Sequence, residues 1–149
     1  MIRKATVEDV KEIQGLINFY AKKDKMLPRS LNELYENLRD FFVFENAGKV
    51  AGCVALHVAW EDLAEIKSLA VLESRQKQKI GSLLVEAAFE DAKRLKVKRI
   101  FALTYCPSFF QKFGFKKVAH SDLPHKIWSE CIRCVKFPDC QETALVREI

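Results

Sequence analysis

The stretch RQKQKIGSLL, residues 75–84, follows a β-rich segment and opens a run with helical periodicity. Amides in the first turn of a helix have no intrahelical acceptors and lie at the positive end of the helix dipole, so they can bind a pyrophosphate. Such loops usually contain several glycines, whereas only Gly81 is present here, where it permits close packing. A lysine at position 79 can keep helical or turn geometry and can reach a phosphate oxygen. Taken alone, the stretch fits a basic first turn of a surface helix better.

The sequence on either side predicts a strand, a helix and a second strand. Residues 64–71 (AEIKSLAV) and 98–105 (KRIFALTY) are β-rich, and a helix is expected from Ile80 to about Leu95. This order favours a right-handed crossover and a locally parallel pair of strands. The residues expected to face the core from the helix are Ile80, Leu83, Leu84, Ala87, Ala88 and Leu95.

The first sixty residues predict a strand, two helices and a hairpin. A strand at residues 2–5 leads into a helix to about Ala21, and a capping box at Ser30–Glu33 opens a short second helix. Residues 41–59 are β-rich and apolar, and they predict an antiparallel hairpin of two strands joined by the turn NAGK. The second helix is expected to place Leu31, Leu34, Tyr35 and Leu38 on one side.

The last third predicts a short helix from Pro107 through Phe113, ended by Gly114, with strands at residues 115–119 and 141–149. We therefore predict an α+β fold, with a mixed, mostly antiparallel central sheet flanked by helices. At 149 residues, the chain is expected to form a single domain, 1–149.

Composition narrows the class of protein. The chain is 49% apolar and 30% charged, has no apolar run of the ~20 residues that a membrane span needs, and begins without a signal-like segment, so we expect a cytoplasmic protein. The net charge is +5, with basic residues crowded between residues 77 and 99. These are not interleaved with aromatic residues and match no nucleic-acid-reading motif, so nucleic-acid binding is disfavoured.

Several motifs together resemble the GNAT superfamily of N-acetyltransferases: SLAV before a basic loop, IGSLL opening a helix, and FFQKFGF about thirty residues later. The resemblance covers nearly the whole chain. Read together, IRKATVEDV, LPRS, AEIKSLAV, LTY…FFQKFGF and LPHKIW look like the short, stand-alone amino-acid acetyltransferases that make N-acetylglutamate. The resemblance implies the GNAT fold and acetyl-CoA as cosubstrate.

The family's loop pattern, Gln/Arg-x-x-Gly-x-Gly/Ala, falls on residues 76–81, with Lys79 at the usual first glycine. The resemblance implies that this loop holds the pyrophosphate and that the backbone of the preceding strand pairs with the pantetheine arm. The implied cofactor-binding residues are Leu69, Val71, Gln76, Lys77, Gln78, Lys79, Ile80, Gly81, Ser82 and Phe110.

Two residues are predicted to be catalytic. Glu65 matches the family's acidic position proposed as general base, and an α-ammonium must lose a proton before its nitrogen attacks a thioester. Many family members protonate the departing thiolate with a Tyr, but Phe110 occupies that position and cannot donate. Tyr105 is preferred as the acid over Thr104, Cys106 or water.

Substrate recognition calls for cations, because glutamate carries two carboxylates and Arg binds carboxylates through two parallel hydrogen bonds. The resemblance implies that Arg29, in PRS, lies where such enzymes hold the substrate with an Arg, so it is the first candidate. Lys126 is the second, with Arg3 and Lys67 behind them. We therefore predict direct acetyl transfer, in a ternary complex, to the α-amino group of an acidic amino acid, L-glutamate foremost. Another amino acid, a polyamine, a protein N-terminus, or a non-catalytic CoA-binding or zinc-dependent module are alternatives, and the oligomeric state, homo-oligomer included, is open.

A cysteine cluster raises the question of zinc. Cys131, Cys134 and Cys140 have the spacing C-x2-C-x5-C, with His125 six residues before the first. These four would complete a tetrahedral site, but a single C-x2-C is a modest signal and cysteine also packs as a small apolar residue. Five cysteines, an odd number, argue against a disulfide framework. No metal is predicted.

Overall fold

The computed structural model describes residues 1–76, 78–123 and 142–149. Within them, seven strands form one sheet in the order β1-β2-β3-β4-β5-β7-β6. The elements are β1 (Ile2–Lys4), α1 (Val10–Ala21), α2 (Leu31–Glu36), β2 (Phe41–Asn46), β3 (Lys49–Trp60), β4 (Leu63–Val71), α3 (Ile80–Leu95), β5 (Arg99–Thr104), α4 (Pro107–Gln111), β6 (Lys116–Val118) and β7 (Thr143–Glu148). None of the described helices combines the length and apolar character needed to cross a membrane.

The sheet is antiparallel except where β4 meets β5. These two strands run parallel, because α3 carries the chain from the end of one to the start of the other. The predicted parallel pair in a mostly antiparallel sheet is therefore confirmed, as is the α+β class. The predicted bounds of α3, Ile80 and Leu95, are also those observed.

The parallel pairing of β4 and β5 is short. It joins Leu63–Glu65 to Arg99–Phe101 and extends no further between these strands. Beyond Glu65, β4 continues to Val71 alongside β3, whereas β5 continues to Thr104 alongside β7. The two strands therefore diverge, and the sheet opens into a fork.

The helices cover opposite faces of the sheet. The face under α1 includes Val43, Cys53, Ala55 and Ala70, and these pack with the buried α1 residues Val10, Ile13, Leu16, Ile17 and Tyr20. The face under α3 includes Val54, Leu56, Ala64 and Ile66. The buried residues of α3 are Ile80, Leu84, Val85, Ala88, Phe89 and Ala92.

The predicted inward face of α3 is partly wrong. Leu83 is 43% exposed and Leu95 is 50% exposed. Successive helical residues turn by about 100°, so a stripe through residues 80, 84, 88 and 92 puts position 83 on the far flank. Leu95 ends the helix, and Val97 is buried after the left-handed residue Lys96.

The first two helices begin in different ways. Ser30 caps α2 as predicted, because its hydroxyl accepts a hydrogen bond from the Glu33 amide at 3.1 Å. Only Leu34 of α2 is buried, however, and the expected inward residues Leu31 and Tyr35 are exposed. Before α1 the chain makes a 3-10 turn, Val7–Asp9, in which the Thr6 amide donates to Asp9.

Candidate functional site

A cleft of about 670 Å³ opens where β4 and β5 diverge. Its walls come from the end of α1 and the loop before α2, from β4, from the loop into α3, and from the end of β5 with α4. The fork in the sheet thus brings together segments that are far apart in sequence.

The wall formed by β4 exposes backbone groups to the cleft. The Leu72 amide donates to the Ala51 carbonyl at 2.8 Å, and Val71 is the register partner of Gly52. Backbone groups alternate in direction along a strand, so the amide and carbonyl of Val71 point away from β3. A chain-like ligand in the fork can therefore pair with β4 as an added strand would.

A β-bulge changes the direction of the backbone in this part of β4. Ser68 has a φ of 55°, and the register between β3 and β4 shifts between Cys53 and Ala55. The Cys53 thiol donates to the Ser68 carbonyl at 3.4 Å. Burial raises the pKa of Cys53 to about 12, so the group remains a thiol donor. Cys53 therefore supports a backbone conformation that a non-glycine residue rarely adopts.

The first turn of α3 forms the end of the cleft. Lys79 caps the helix with a φ of 64°, in the left-handed region. Lys79 therefore does not have helical geometry, and it has the left-handed conformation for which glycine is suited. Gly81 meets α4, since a Cβ there would lie 3.4 Å from Phe109 Cζ.

Two predicted functional residues, Glu65 and Arg29, line the cleft. Glu65 is the last residue of β4 paired with β5, so it stands at the point of divergence. Arg29 lies in the loop before α2, and its carbonyl accepts a hydrogen bond from Gln14 Nε2 at 3.2 Å. Its Nη1 lies 3.4 Å from Glu33 Oε2, while its buried Nε has no hydrogen-bond partner among the described residues.

The charge of the cleft favours anions. Cationic side chains line it on several walls, and Glu65 and Glu142 are the acidic residues among the described lining. A cleft lined mainly by one sign of charge raises the local concentration of ligands of the opposite sign. The cationic lining residues are Lys25, Arg29, Lys67, Arg75, Lys79 and Lys112.

Most of the predicted cofactor-binding residues meet at this cleft: Leu69, Val71, Gln76, Lys79, Ile80, Gly81, Ser82 and Phe110 all line it. Gln78 is outside the described lining, and its Oε1 accepts a hydrogen bond from Arg75 Nε at 2.8 Å. Tyr105 is not in the lining either, whereas its neighbours Thr104 and Cys106 are. Lys77 and Lys126, with His125 and the cysteines at 131, 134 and 140, lie outside the described residues.

The aromatic residues of α4 pack against one another. Phe110 is buried, and its ring meets those of Phe109 and Phe115 edge to face, with centroids 5.3 Å and 5.4 Å apart. Phe110 therefore combines a place in the core with contact to the cleft. Among the described residues, no group of three or more His, Cys, Asp or Glu side chains could hold a metal ion.

Arg3, a lesser candidate for substrate binding, lies elsewhere. Its guanidinium donates to both oxygens of Asp9, at 2.7 Å and 2.9 Å, and to Glu45 at 2.8 Å. These hydrogen bonds raise the pKa of Arg3 and lower that of Asp9. Arg3 is not part of the cleft lining, and its charge is already neutralised by the two carboxylates.

Several lining residues were not foreseen from the sequence. Tyr20, Lys25, Arg75, Lys112 and Glu142 were not singled out as site residues. The basic character of the loop after α1, KKDKMLPRS, was a usable signal for Lys25. Tyr20 gave no such signal, because its helical spacing fits the core equally well.

Residues 7–115 match the Acetyltransferase (GNAT) family. The chain is 38% identical over 148 residues to an uncharacterised N-acetyltransferase of Chlorobaculum tepidum, covering 99% of this chain and 96% of that protein. It is 35% identical to an amino-acid acetyltransferase of Mycobacterium tuberculosis, covering 89% of this chain and 78% of that enzyme.

Solved structures agree. A Mycobacterium tuberculosis protein in complex with CoA superposes with a TM-score of 0.88 at 30% identity, covering 100% of this chain and 99% of that one. N-acetylglutamate synthase of Neisseria gonorrhoeae, in complex with CoA and N-acetyl-glutamate, gives 0.91 at 27% identity. That match covers 99% of this chain and 34% of the synthase, which is much the longer protein. The chain belongs to the GNAT family and is an acetyl-CoA-dependent N-acetyltransferase.

Proposed function

We propose that the protein acetylates the α-amino group of L-glutamate, giving N-acetylglutamate for arginine biosynthesis in the cytoplasm. The observation that carries the proposal is the position of Arg29, which lines a cleft whose charged lining residues are mainly cationic. An arginine guanidinium binds a carboxylate through two parallel hydrogen bonds, so Arg29 can hold a carboxylate of an acidic amino acid.

The acceptor's charge fits the cleft. The mainly cationic lining favours an anionic amino acid and disfavours a polyamine, because like charges in a confined site repel. In this proposal Arg29, assisted by Lys126, holds a carboxylate of glutamate. The relatives named amino-acid acetyltransferase and the synthase solved with N-acetyl-glutamate support the same acceptor class.

Glu65 is the proposed general base. It lines the cleft at the point where β4 and β5 diverge, which is where a thioester at the end of a strand-like arm would lie. Glu65 would take a proton from the α-ammonium, directly or through water, and the amine nitrogen would then attack the thioester carbonyl. The C–N bond forms, the C–S bond breaks, and the CoA thiolate takes up a proton.

The cosubstrate fits the other end of the cleft. Acetyl-CoA carries a pyrophosphate, which the first turn of α3 and Lys79 would bind, and a pantetheine arm, which the backbone of Leu69 and Val71 would pair with. Because the acetyl group would pass directly to the amine, both substrates must be bound at once.

The acceptor is tested by measuring CoA release with glutamate, glutamine, aspartate, leucine and spermidine at fixed acetyl-CoA. We expect glutamate to give the highest kcat/KM. Equal values for glutamate, glutamine and leucine would contradict the proposal, and a higher value for spermidine would assign a polyamine.

Arg29 is tested by Arg29→Ala and Arg29→Lys. Losing a carboxylate contact should raise the KM for glutamate about 10- to 100-fold, with the KM for acetyl-CoA unchanged. Lysine cannot restore two parallel hydrogen bonds, so Arg29→Lys should recover only part of the loss. Glu33→Gln is the matched control, because it removes the negative charge 3.4 Å from Arg29 Nη1 and leaves the guanidinium in place.

Glu65 is tested by Glu65→Gln, which keeps the shape of the side chain and removes its basicity. We expect kcat to fall about 100-fold or more near neutral pH, since general bases typically contribute that much. Part of the loss should be recovered at high pH, where the free amine is already deprotonated. An unchanged rate over the whole pH range would contradict the assignment.

A further inference from the structure

Tyr20, near the end of α1, links two parts of the cleft. Its side chain is 8% exposed, packs in the core between α1 and the sheet, and reaches the cleft. Its hydroxyl donates to the Val71 carbonyl at 2.5 Å and accepts from Gln76 Nε2 at 2.6 Å. One hydroxyl thus joins the end of β4 to the start of the loop before α3.

The bond to Val71 determines what this residue offers to a ligand. The carbonyl and amide of Val71 both point away from β3. Tyr20 already donates to the carbonyl and so occupies one of its two lone pairs, which restricts how a ligand can approach that group. The amide, on the same side of the strand, remains directed into the cleft and calls for an acceptor, such as an amide carbonyl of an extended arm.

The direction of this chain of hydrogen bonds is fixed. A phenol has one proton, so a hydroxyl that donates to Val71 can only accept from Gln76. Burial raises the pKa of Tyr20 above its ordinary value of 10.0, which keeps the hydroxyl protonated. Gln76 is therefore held by its NH₂ group, and its side-chain carbonyl is turned away from Tyr20.

We propose that Tyr20 is a positioning residue for acetyl-CoA, which aligns the backbone of β4 with the loop before α3. It acts through Val71 and Gln76 and does not touch the reacting atoms. The arm and the pyrophosphate of one molecule must bind both segments at once, so a fixed spacing between them removes an ordering cost from binding. This inference goes beyond the acceptor proposed above and is independent of it.

Tyr20→Phe removes the hydroxyl and keeps the ring. We expect the KM for acetyl-CoA and the Kd for CoA to rise about five- to tenfold, the effect of losing one or two hydrogen bonds. The kcat and the KM for the amino acid should change less than about twofold, because Tyr20 acts only on the cosubstrate.

Two controls accompany this variant. Tyr35→Phe makes the same change at an exposed position on α2. Lys23→Ala breaks an exposed 3.0 Å ion pair to Glu73, which also joins the end of α1 to the segment after β4. Both variants should leave the Kd for CoA unchanged. That result would show that the hydrogen bonds of Tyr20 matter for CoA binding, and that another contact between the same two segments does not.

Gln76→Leu and the double variant test the coupling. Gln76 is exposed, so this change should not affect folding. If the two residues act as one chain, each single change weakens CoA binding and the double variant is weaker by less than the product of the two effects. An unchanged Kd in either single variant, or multiplicative effects, would overturn the proposal. Titration with CoA alone contains no acceptor, so its outcome is distinguishable from a failure of the glutamate assignment.

Discussion

Gly52 on β3 lies directly beneath Leu84 of α3: a Cβ at position 52 would lie 3.0 Å from Leu84 Cδ1. It would also lie 3.1 Å from Ile80 Cγ2 and 3.3 Å from the Ala70 carbonyl oxygen, which belongs to β4. The missing side chain therefore sets how closely the start of α3 approaches the sheet. Because that start forms one end of the cleft, packing in the core and the geometry of the cleft are coupled.

Gly52→Ala should push α3 away from the sheet. Overpacking of this kind costs about 1–3 kcal/mol, so we expect a lower Tm and, since the first turn of α3 shifts, a higher KM for acetyl-CoA. Thermal unfolding and steady-state kinetics check both effects. Gly15→Ala is the control: a Cβ on Gly15 meets nothing within 4 Å, and alanine in the middle of α1 should raise stability slightly.

Lys79→Gly should separate backbone strain from phosphate binding. Relief of the left-handed conformation should stabilise the fold by about 1 kcal/mol, while loss of the ammonium should raise the KM for acetyl-CoA. Lys96→Gly relieves the same conformation at the other end of α3, away from the cleft lining, and should stabilise without changing that KM. Tighter acetyl-CoA binding by Lys79→Gly would mean that the lysine contributes nothing to phosphate recognition.

The ion pair between Arg3 and Asp9 should make stability depend on pH. The Arg3 guanidinium holds the pKa of Asp9 below its ordinary 3.8, so the stabilisation is complete above that pH. It is lost as the pH falls from 3.8 through the folded-state value. Asp9→Asn should lower the free energy of unfolding by about 1–3 kcal/mol near neutral pH and remove that acid dependence. Denaturant unfolding at several pH values checks this, with the exposed neighbour Glu8→Gln as the control.

The general acid is tested by exchanging hydroxyls between two positions. If Tyr105 protonates the departing thiolate, Tyr105→Phe should lower kcat about 10-fold or more with both KM values unchanged. Phe110→Tyr in that background would place a hydroxyl where many family members carry one, and should restore part of the rate. A full kcat in Tyr105→Phe would leave protonation to Thr104, Cys106 or water, or would mean that the thiolate departs unprotonated.

Much of the fold could be predicted because the hydrophobic periodicity is clear. At Phe41 the spacing of apolar residues changes from a helical to a strand-like period, which predicts the hairpin. The same periodicity later in the chain predicts the bounds of α3 and the parallel pair of strands. Leu83 was wrongly predicted to face the core because helical spacing fits an apolar stripe on either side of Ile80 and Leu84. Packing against β3 selects the flank, and packing is not visible in sequence spacing.

The site was harder to predict in its backbone than in its residue types. Glu65 and Arg29 could be chosen because the resemblance marks their positions and because a carboxylate and a guanidinium suit the roles expected there. The left-handed φ of Lys79 and the bulge at Ser68 could not be predicted, since neither lysine nor serine is a residue type that indicates such a backbone conformation. The Tyr20–Val71 bond joins residues 51 positions apart, and a tyrosine at core spacing does not reveal that its hydroxyl reaches a strand.

In the proposed binding mode, acetyl-CoA pairs with β4 at the fork between β4 and β5 and so extends the sheet. Beyond Glu65, β4 is hydrogen-bonded to β3 but no longer to β5. Its amides should therefore exchange hydrogen more readily there. Acetyl-CoA laid along that edge would supply the second side. At a concentration 100 times its Kd, a ligand adds about 2.7 kcal/mol to the stability of the state that binds it. Bound acetyl-CoA should therefore slow hydrogen exchange along this edge of β4 and raise the temperature at which the protein unfolds.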